Sequence, residues 1–448
     1  MALSGYKNTA SDPLKESLPL IRQLGSYSRR LEQAKDLDPL MERIGDARYV
    51  LLGEASHGTS EYYLWRQILT RRLIKEKGFS FIAVEGDWPD CYRINQYVKG
   101  EKEGGESAYK ILFGFSRWPT WMWANYEIVH LAEWLRRQNN FLPENRKIGF
   151  YGLDVYSLWE SMEEVIRYLD QYNPSAAQLA KQAYGCFEPY AGEVESYARA
   201  AAFVPDSCEE EVVAALSLLR RSAPDLSVSR EAEFNAEQNA EIVRNAERYY
   251  RTMIFGGATS WNIRDFHMAN TLERLMTFLG KDAKAIVWEH NSHIGDARAT
   301  DMEDAGMINV GQIVRERSGR DNTVLVGFGS YQGSVVAARE WGAPMEIMAV
   351  PEARAGSIEQ AFHRIDGKNK LLISEDWKGD AGEIELARGH RAIGVVYHPD
   401  RERFGNYVRT RLLDRYDAFL YLDRTRSLHP LHIDVSGAEV PETYPFAV

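Results

Sequence analysis

The strongest constraint on this chain is a short apolar run, Tyr49–Leu52, that stops at Gly53 and passes straight into Glu54-Ala-Ser-His57-Gly58. Such a run reads as a buried parallel strand, and the segment after it as the turn off its C-terminal end. The layout recurs. Residues 79–84 end in Glu85-Gly86-Asp87-Trp88, 147–153 end in Asp154, and 283–288 end in Glu289-His290-Asn291-Ser292-His293. Parallel strands would gather all these side chains on one sheet edge, the edge where open α/β sheets bind ligands. Residues 62–75 carry apolar positions at helical spacing, so strand, turn, helix and strand make a βαβ unit with its strands parallel.

Further apolar runs at 323–327, 370–374, 392–397 and 418–422 extend the expected sheet. Between the third and fourth runs, residues 157–280 show helical spacing only, broken by Pro174, Pro205 and Pro224. The expected architecture is therefore a three-layer α/β/α fold with a mostly parallel, mixed sheet. Residues 1–156 and 281–448 form its catalytic core. Residues 157–280 form a helical insertion over the C-terminal strand edge, as a lid or pocket wall.

Composition narrows the function. The chain has 448 residues, 44% hydrophobic and 27% charged, enough for a large core without crosslinks. A net charge of −11 and the absence of a Lys/Arg run argue against a nucleic-acid partner. The longest apolar stretches reach only about eight residues, too short to span a bilayer, and residues 1–17 lack the apolar stretch of a secretory signal. Cys91, Cys186 and Cys208 are odd in number without C-x-x-C spacing, which fits a reducing cytoplasm. Oligomeric state is not legible.

Glu54, His57, Glu85, His290 and His293 form the expected chemical group, with Arg66 as a further cation. A histidine oriented by a carboxylate is suited to act as a general base or a metal ligand. His57, His290, His293 and Glu85 could hold a divalent metal, although Asn291 after His290 departs from the H-E-x-x-H pattern. Without metal, one histidine could activate water while another stabilises developing negative charge. Trp118, Trp121 and Trp123 form either a hydrophobic plug or the apolar wall of a substrate pocket, which Asp87 and His267 could also line. Gly327-Phe-Gly329-Ser-Tyr-Gln-Gly333 is one residue off a dinucleotide fingerprint and reads as a loop past a strand end. No G-x-S-x-G elbow and no P-loop occurs. The histidines at 130, 363, 390, 398, 429 and 432 read as structural.

Together these segments resemble the erythromycin esterase family. The resemblance is carried by Gly53-Glu54-Ala-Ser-His57-Gly58 with Arg66, Val84-Glu85-Gly86-Asp87, Trp118-Pro-Thr-Trp121-Met-Trp123, Arg264-Asp265-x-x-Met268-Ala269 and Trp288-Glu289-His290-Asn291-Ser292-His293. It implies hydrolysis of a macrolide-like lactone or another small-molecule ester, the chemistry of antibiotic inactivation; no cofactor is expected, with a divalent metal as the alternative, since metal dependence is disputed within the family. It also implies roles: His57 as the base that activates water, Glu54 and Glu85 as orienting carboxylates, and His290, His293 and Arg66 as groups that bind and polarise the substrate. Some relatives carry a succinoglycan-biosynthesis label instead. A metal-dependent hydrolase of another ester or amide, or a haem- or small-molecule-binding protein, are the rival readings.

Overall fold

The computed structural model describes residues 18–101, 107–190, 197, 208–221, 229–253, 256–378, 384 and 386–432. The N-terminal stretch read as polar lies outside them. The strands are β1 Ser28–Arg30, β2 Tyr49–Leu52, β3 Phe81–Val84, β4 Gly149–Gly152, β5 Ala285–Trp288, β6 Thr323–Ala338, β7 Met345–Val350, β8 Lys370–Ile373, β9 Arg388–Arg391, β10 Tyr407–Thr410 and β11 Ala418–Thr425. One sheet holds nine of them, in the order β1-β8-β11-β6-β2-β5-β3-β4, with β7 on β6; β9 and β10 pair separately. The run from β11 to β4 is parallel throughout, and β8, β1 and β7 join it antiparallel.

Register places the chemistry. Leu52 pairs with Trp288 and Val326, and Val84 pairs with Trp288 and Gly152, so these parallel strands end level. The residues that follow emerge side by side.

Strand alternation divides the core into two layers. Val50, Leu52, Ile82, Val84, Ile286 and Trp288 face one layer, with Leu69 and Leu73 of the helix Ser60–Lys77. Leu51, Phe81, Ala83 and Val287 face the other, with Met268 and Leu272 of the helix Ala258–Leu279. The helices Leu158–Tyr172, Pro174–Tyr184, Glu209–Arg221 and Arg230–Met253 enclose a core of their own, built on Val165, Leu169, Ala180, Leu216 and Val243. The helix Ala258–Leu279, expected within the insertion, packs on the sheet instead. Among the described residues no helix is long and apolar enough to cross a membrane.

Three readings need correction. Residues 392–397 are not a strand of the sheet: they make only single bridges, Ser56 to Ile393 and Ala338 to Val396. Ile393 and Tyr397 fill a small cluster with Val335, Met348 and Val350, and Val395 joins the larger core, which accounts for the strand-like pattern. The glycine-rich stretch 327–333 is not a loop but the middle of β6, which runs for 16 residues. β11 pairs along it as far as Gly333 and β7 continues from there, so both partners keep it extended. Finally, Cys186 and Cys208 are joined as a disulfide with Cα atoms 5.9 Å apart, and Cys91 is free and buried. The helical insertion brings them together across a gap in sequence, so the odd count no longer argues for a reducing compartment.

The turn after β2 depends on close approach. Gly58 accepts hydrogen bonds from Val336 N (3.0 Å) and Leu428 N (2.9 Å), and a Cβ there would collide with the Val336 backbone. Gly58→Ala should therefore lower stability by about 1–3 kcal/mol. Urea unfolding within about 0.5 kcal/mol of wild type would contradict this packing.

Candidate active site

β2 delivers Glu54 and His57 to the level edge. His57 Nδ1 lies 2.9 Å from Glu54 Oε1, and Glu54 Oε2 accepts from Arg66 Nη2 at 2.5 Å. Arg66 is fully buried on the helix Ser60–Lys77, with its guanidinium 4.3 Å from the Tyr63 ring and 4.6 Å from that of Trp288. It stands behind Glu54. The expectation that Arg66 meets the substrate does not fit this placement; it anchors the carboxylate that orients His57.

A second arginine organises the rest. Arg264 lies in the helix Ala258–Leu279 and donates to Asp154 at 2.9 and 2.6 Å and to Glu85 Oε1 at 2.8 Å. Its Nη1 lies 3.1 Å from His293 Nε2. The neighbouring Asp265 sits 2.9 Å from His293 Nδ1, and the Trp261 ring stacks on the imidazole at 4.6 Å. Glu85 Oε2 accepts the His290 backbone N–H at 2.8 Å. In the sequence Arg264 and Asp265 stand out only as part of a motif. Their adjacency at the start of a helix facing the fourth strand end was the available signal.

The histidines are differentiated. His57 and His290 have ring centroids 5.0 Å apart. Burial disfavours a charged His57, but Glu85 and Glu54 outweigh it and hold its pKa above the usual 6.5. Burial, reinforced by His57, pushes His290 well below that value. His290 Nδ1 lies 2.8 Å from Ser292 Oγ and accepts the Ser292 backbone N–H at 3.3 Å; with Nδ1 as acceptor, the neutral ring carries its hydrogen on Nε2. That buried Nε2 has no side-chain hydrogen-bond partner, and the ring also meets the Ala55 backbone. Burial would raise Glu85, yet His293, His57, Arg264 and the His290 N–H hold it well below the carboxylate range. Glu289 is the reverse case: burial and the charges of Glu85 and Asp265 push it far upward, and both its oxygens are unpartnered.

The residues assigned to the substrate pocket separate. Trp123 Nε1 donates to the Glu85 carbonyl at 3.0 Å and so supports a strand end. Trp118 donates to Ala343 O and packs against Trp121 and Trp341. All three tryptophans are core side chains at 1–2% exposure, which matches the plug rather than the pocket wall. Asp87 is pinned 3.1 Å from Arg117 Nε, and its pKa is pushed up to about 8 by burial, against the pull of Arg117. His267 lies 3.0 Å from Asn245 and beside the Asp154 backbone, at the edge of an outer cavity of about 490 Å³ lined by Arg244, Arg248 and Phe266. Burial pushes its pKa down to about 3. It does not reach the His57 group.

The tested metal set, His57, His290, His293 and Glu85, does not present converging lone pairs. Glu54 takes His57 Nδ1, Asp265 takes His293 Nδ1, and a guanidinium lies against both Glu85 and His293 Nε2. Among the described residues no group of three His, Cys, Asp or Glu side chains is arranged to hold a metal ion.

Fold and site together define an α/β protein with a buried histidine–carboxylate centre on the C-terminal edge of a parallel sheet. The chain belongs to the erythromycin esterase family: the model described as "Erythromycin esterase" matches residues 74–425. It is 24% identical over 416 residues to erythromycin esterase type II of Escherichia coli, covering 87% of this chain and 92% of that protein. It is 20% identical to the putative hydrolase YbfO of Bacillus subtilis (strain 168), covering 87% of this chain and 86% of that protein. A solved succinoglycan biosynthesis protein superposes with a TM-score of 0.75 at 22% identity, covering 93% of this chain and 98% of the other. A mutant of the erythromycin esterase EreC in its open conformation superposes with a TM-score of 0.65 at 18% identity, covering 93% and 98%. Family membership supports hydrolase chemistry on a small molecule.

Arg264 neutralises two buried carboxylates. Arg264→Met should cost about 3–5 kcal/mol at pH 7 by leaving them unpaired. Glu85 has a depressed folded pKa, so its stabilisation is present above its unfolded value of 4.5 and is lost as pH falls through the folded one. The gap between wild type and variant in denaturant unfolding should therefore narrow below pH 4.5. A gap that stays constant with pH would contradict the assignment.

Proposed function

We propose that the chain is an esterase that opens a lactone or cleaves another small-molecule ester with water activated by His57. The observation that carries this reading is the buried Arg66–Glu54–His57 relay, which commits Nδ1 of His57 to a carboxylate and leaves Nε2 to take a proton.

The steps balance. Water adds to the carbonyl carbon as Nε2 of His57 accepts its proton, giving a tetrahedral oxyanion and an imidazolium. The Nε2–H of His290, which no side chain engages, is the donor suited to the oxyanion, and burial strengthens such a bond. The raised pKa of His57 reflects the same carboxylates that would stabilise the imidazolium in this step. Collapse breaks the C–O bond, and the leaving alkoxide takes the proton back from His57. One ester and one water become one acid and one alcohol; a lactone gains one water and stays a single molecule.

Macrolide lactones are the substrate class we propose to test first, because the chain's relatives include an erythromycin esterase. All members of the centre are at most 2% exposed, so a substrate of that size reaches His57 only when the covering elements part. Mass spectrometry of a macrolide panel should show a gain of one water with wild type. His57→Ala should lose at least about 10² in turnover, and unchanged turnover would refute its role.

The pH profile provides a separate check. A base must be neutral to act, so kcat/KM should rise with pH through a midpoint above 6.5. Glu85 contributes most to raising that midpoint, so Glu85→Gln should move the acid limb to lower pH. An acid limb that moves upward, or not at all, would show that Glu85 does not act on His57.

A further inference from the structure

A second buried imidazole–carboxylate pair lies outside the centre and ends on it. His390 Nδ1 is 2.6 Å from Glu359 Oε1, which also accepts the Arg391 backbone N–H at 2.9 Å. His390 is 1% exposed and Glu359 is fully buried. The opposite ring nitrogen, Nε2, lies 3.2 Å from Asn291 Nδ2. With Nδ1–H committed to Glu359, Nε2 presents a lone pair to the amide hydrogen of Asn291. Burial holds His390 below its usual pKa, which preserves that lone pair.

Asn291 is a joint between three elements. Its Nδ2 donates to Phe328 O at 2.7 Å and its Oδ1 accepts Phe328 N at 3.2 Å, which ties it to β6. Its backbone N–H donates to Glu54 O at 2.8 Å, and its carbonyl accepts from Arg415 Nη2 at 2.9 Å. Gly53 has no Cβ, and one there would collide with Asn291 Oδ1. Asn291 also opens the helical turn Asn291–Ile294, which carries His293 and is capped by His290. The side-chain amide thus ties the turn that carries the site histidines to β6, while the backbone N–H of the same residue ties it to the Glu54 carbonyl.

We propose that His390, oriented by Glu359, is a positioning residue that locks the Asn291 amide and thereby sets His290 and His293 against His57. A buried charged chain costs desolvation that an apolar cluster would avoid, and this one terminates on the residue between the two histidines. Its kinetic consequence rests on the hydrolytic reading; its structural consequence does not.

The test uses the intact chain with His390→Leu and His390→Gln. Glutamine can donate to Glu359 and accept from Asn291, whereas leucine can do neither. Hydrogen exchange measured by mass spectrometry over residues 290–295 should be at least about tenfold faster in His390→Leu, with Ala285–Trp288 unchanged. His390→Gln should stay near wild type. On an ester that wild type cleaves, His390→Leu should lower kcat at least about tenfold with KM shifted less than about twofold, and His390→Gln should restore it. Wild-type exchange over 290–295 in a folded His390→Leu protein overturns the proposal, as does equal loosening in both variants. Faster exchange rescued by glutamine sustains it even if no ester is turned over, and the failure then falls on the esterase reading alone. If His390→Leu does not fold, the double variant Glu359→Leu/His390→Leu, which leaves no orphan carboxylate, is read on the same exchange and the same criteria.

Discussion

The arrangement depends on one buried guanidinium. Level parallel strands bring Glu85, Asp154 and Glu289 to a common edge, and the helix above adds Asp265. That much negative charge without water would be prohibitive. Arg264 resolves it by binding both oxygens of Asp154 and one of Glu85. It makes no hydrogen bond to Glu289, whose pKa burial pushes far upward, and Asp265 pairs with His293 instead. The Tyr156 ring lies 4.9 Å from the guanidinium and covers it. The helix Ala258–Leu279 therefore belongs to the sheet energetically as well as sterically: its apolar face packs in the second core layer and its arginine neutralises the edge.

Much of this was legible from residue order. Apolar runs ending in acids and histidines announced a parallel edge, because period and burial are local properties that a strand writes into its own residues. Glu54, His57, Glu85, His290 and His293 come together as expected. Roles set by packing between distant elements were not legible. Arg66 and Arg264 are both arginines on helices near strand ends, and only the direction each helix presents decides which one meets the edge. His267 and Arg264 share a helix and both meet Asp154, yet the first borders an outer cavity and only the second reaches Glu85 and His293. The tryptophans could have lined a pocket or filled a core with equal chemistry. The stretch 327–333 of β6 reads as a loop because its glycines, which normally interrupt strands, here make room for the Tyr416 and Phe419 rings of the neighbouring strand region. His390 looked structural because Asn291, the residue it serves, lies 99 positions away.

The two imidazoles nearest each other are driven in opposite directions by the same surroundings. Both are buried, which alone would neutralise both. His57 touches Glu54 and feels Glu85, and its charged form is favoured; His290 has no carboxylate at its ring, and a charged His57 beside it disfavours a second charge. One ring is thus poised to gain a proton while the other stays a neutral donor. The hydrolysis proposed for this centre would need that division, since the attacking water must lose a proton at the moment the carbonyl oxygen needs one nearby. Two equivalent histidines could not hold both states at 5.0 Å separation. The asymmetry is imposed by the carboxylates behind them, so the orientation of Glu54 by Arg66 and the neutralisation of Glu85 by Arg264 matter to the chemistry as directly as the imidazoles do.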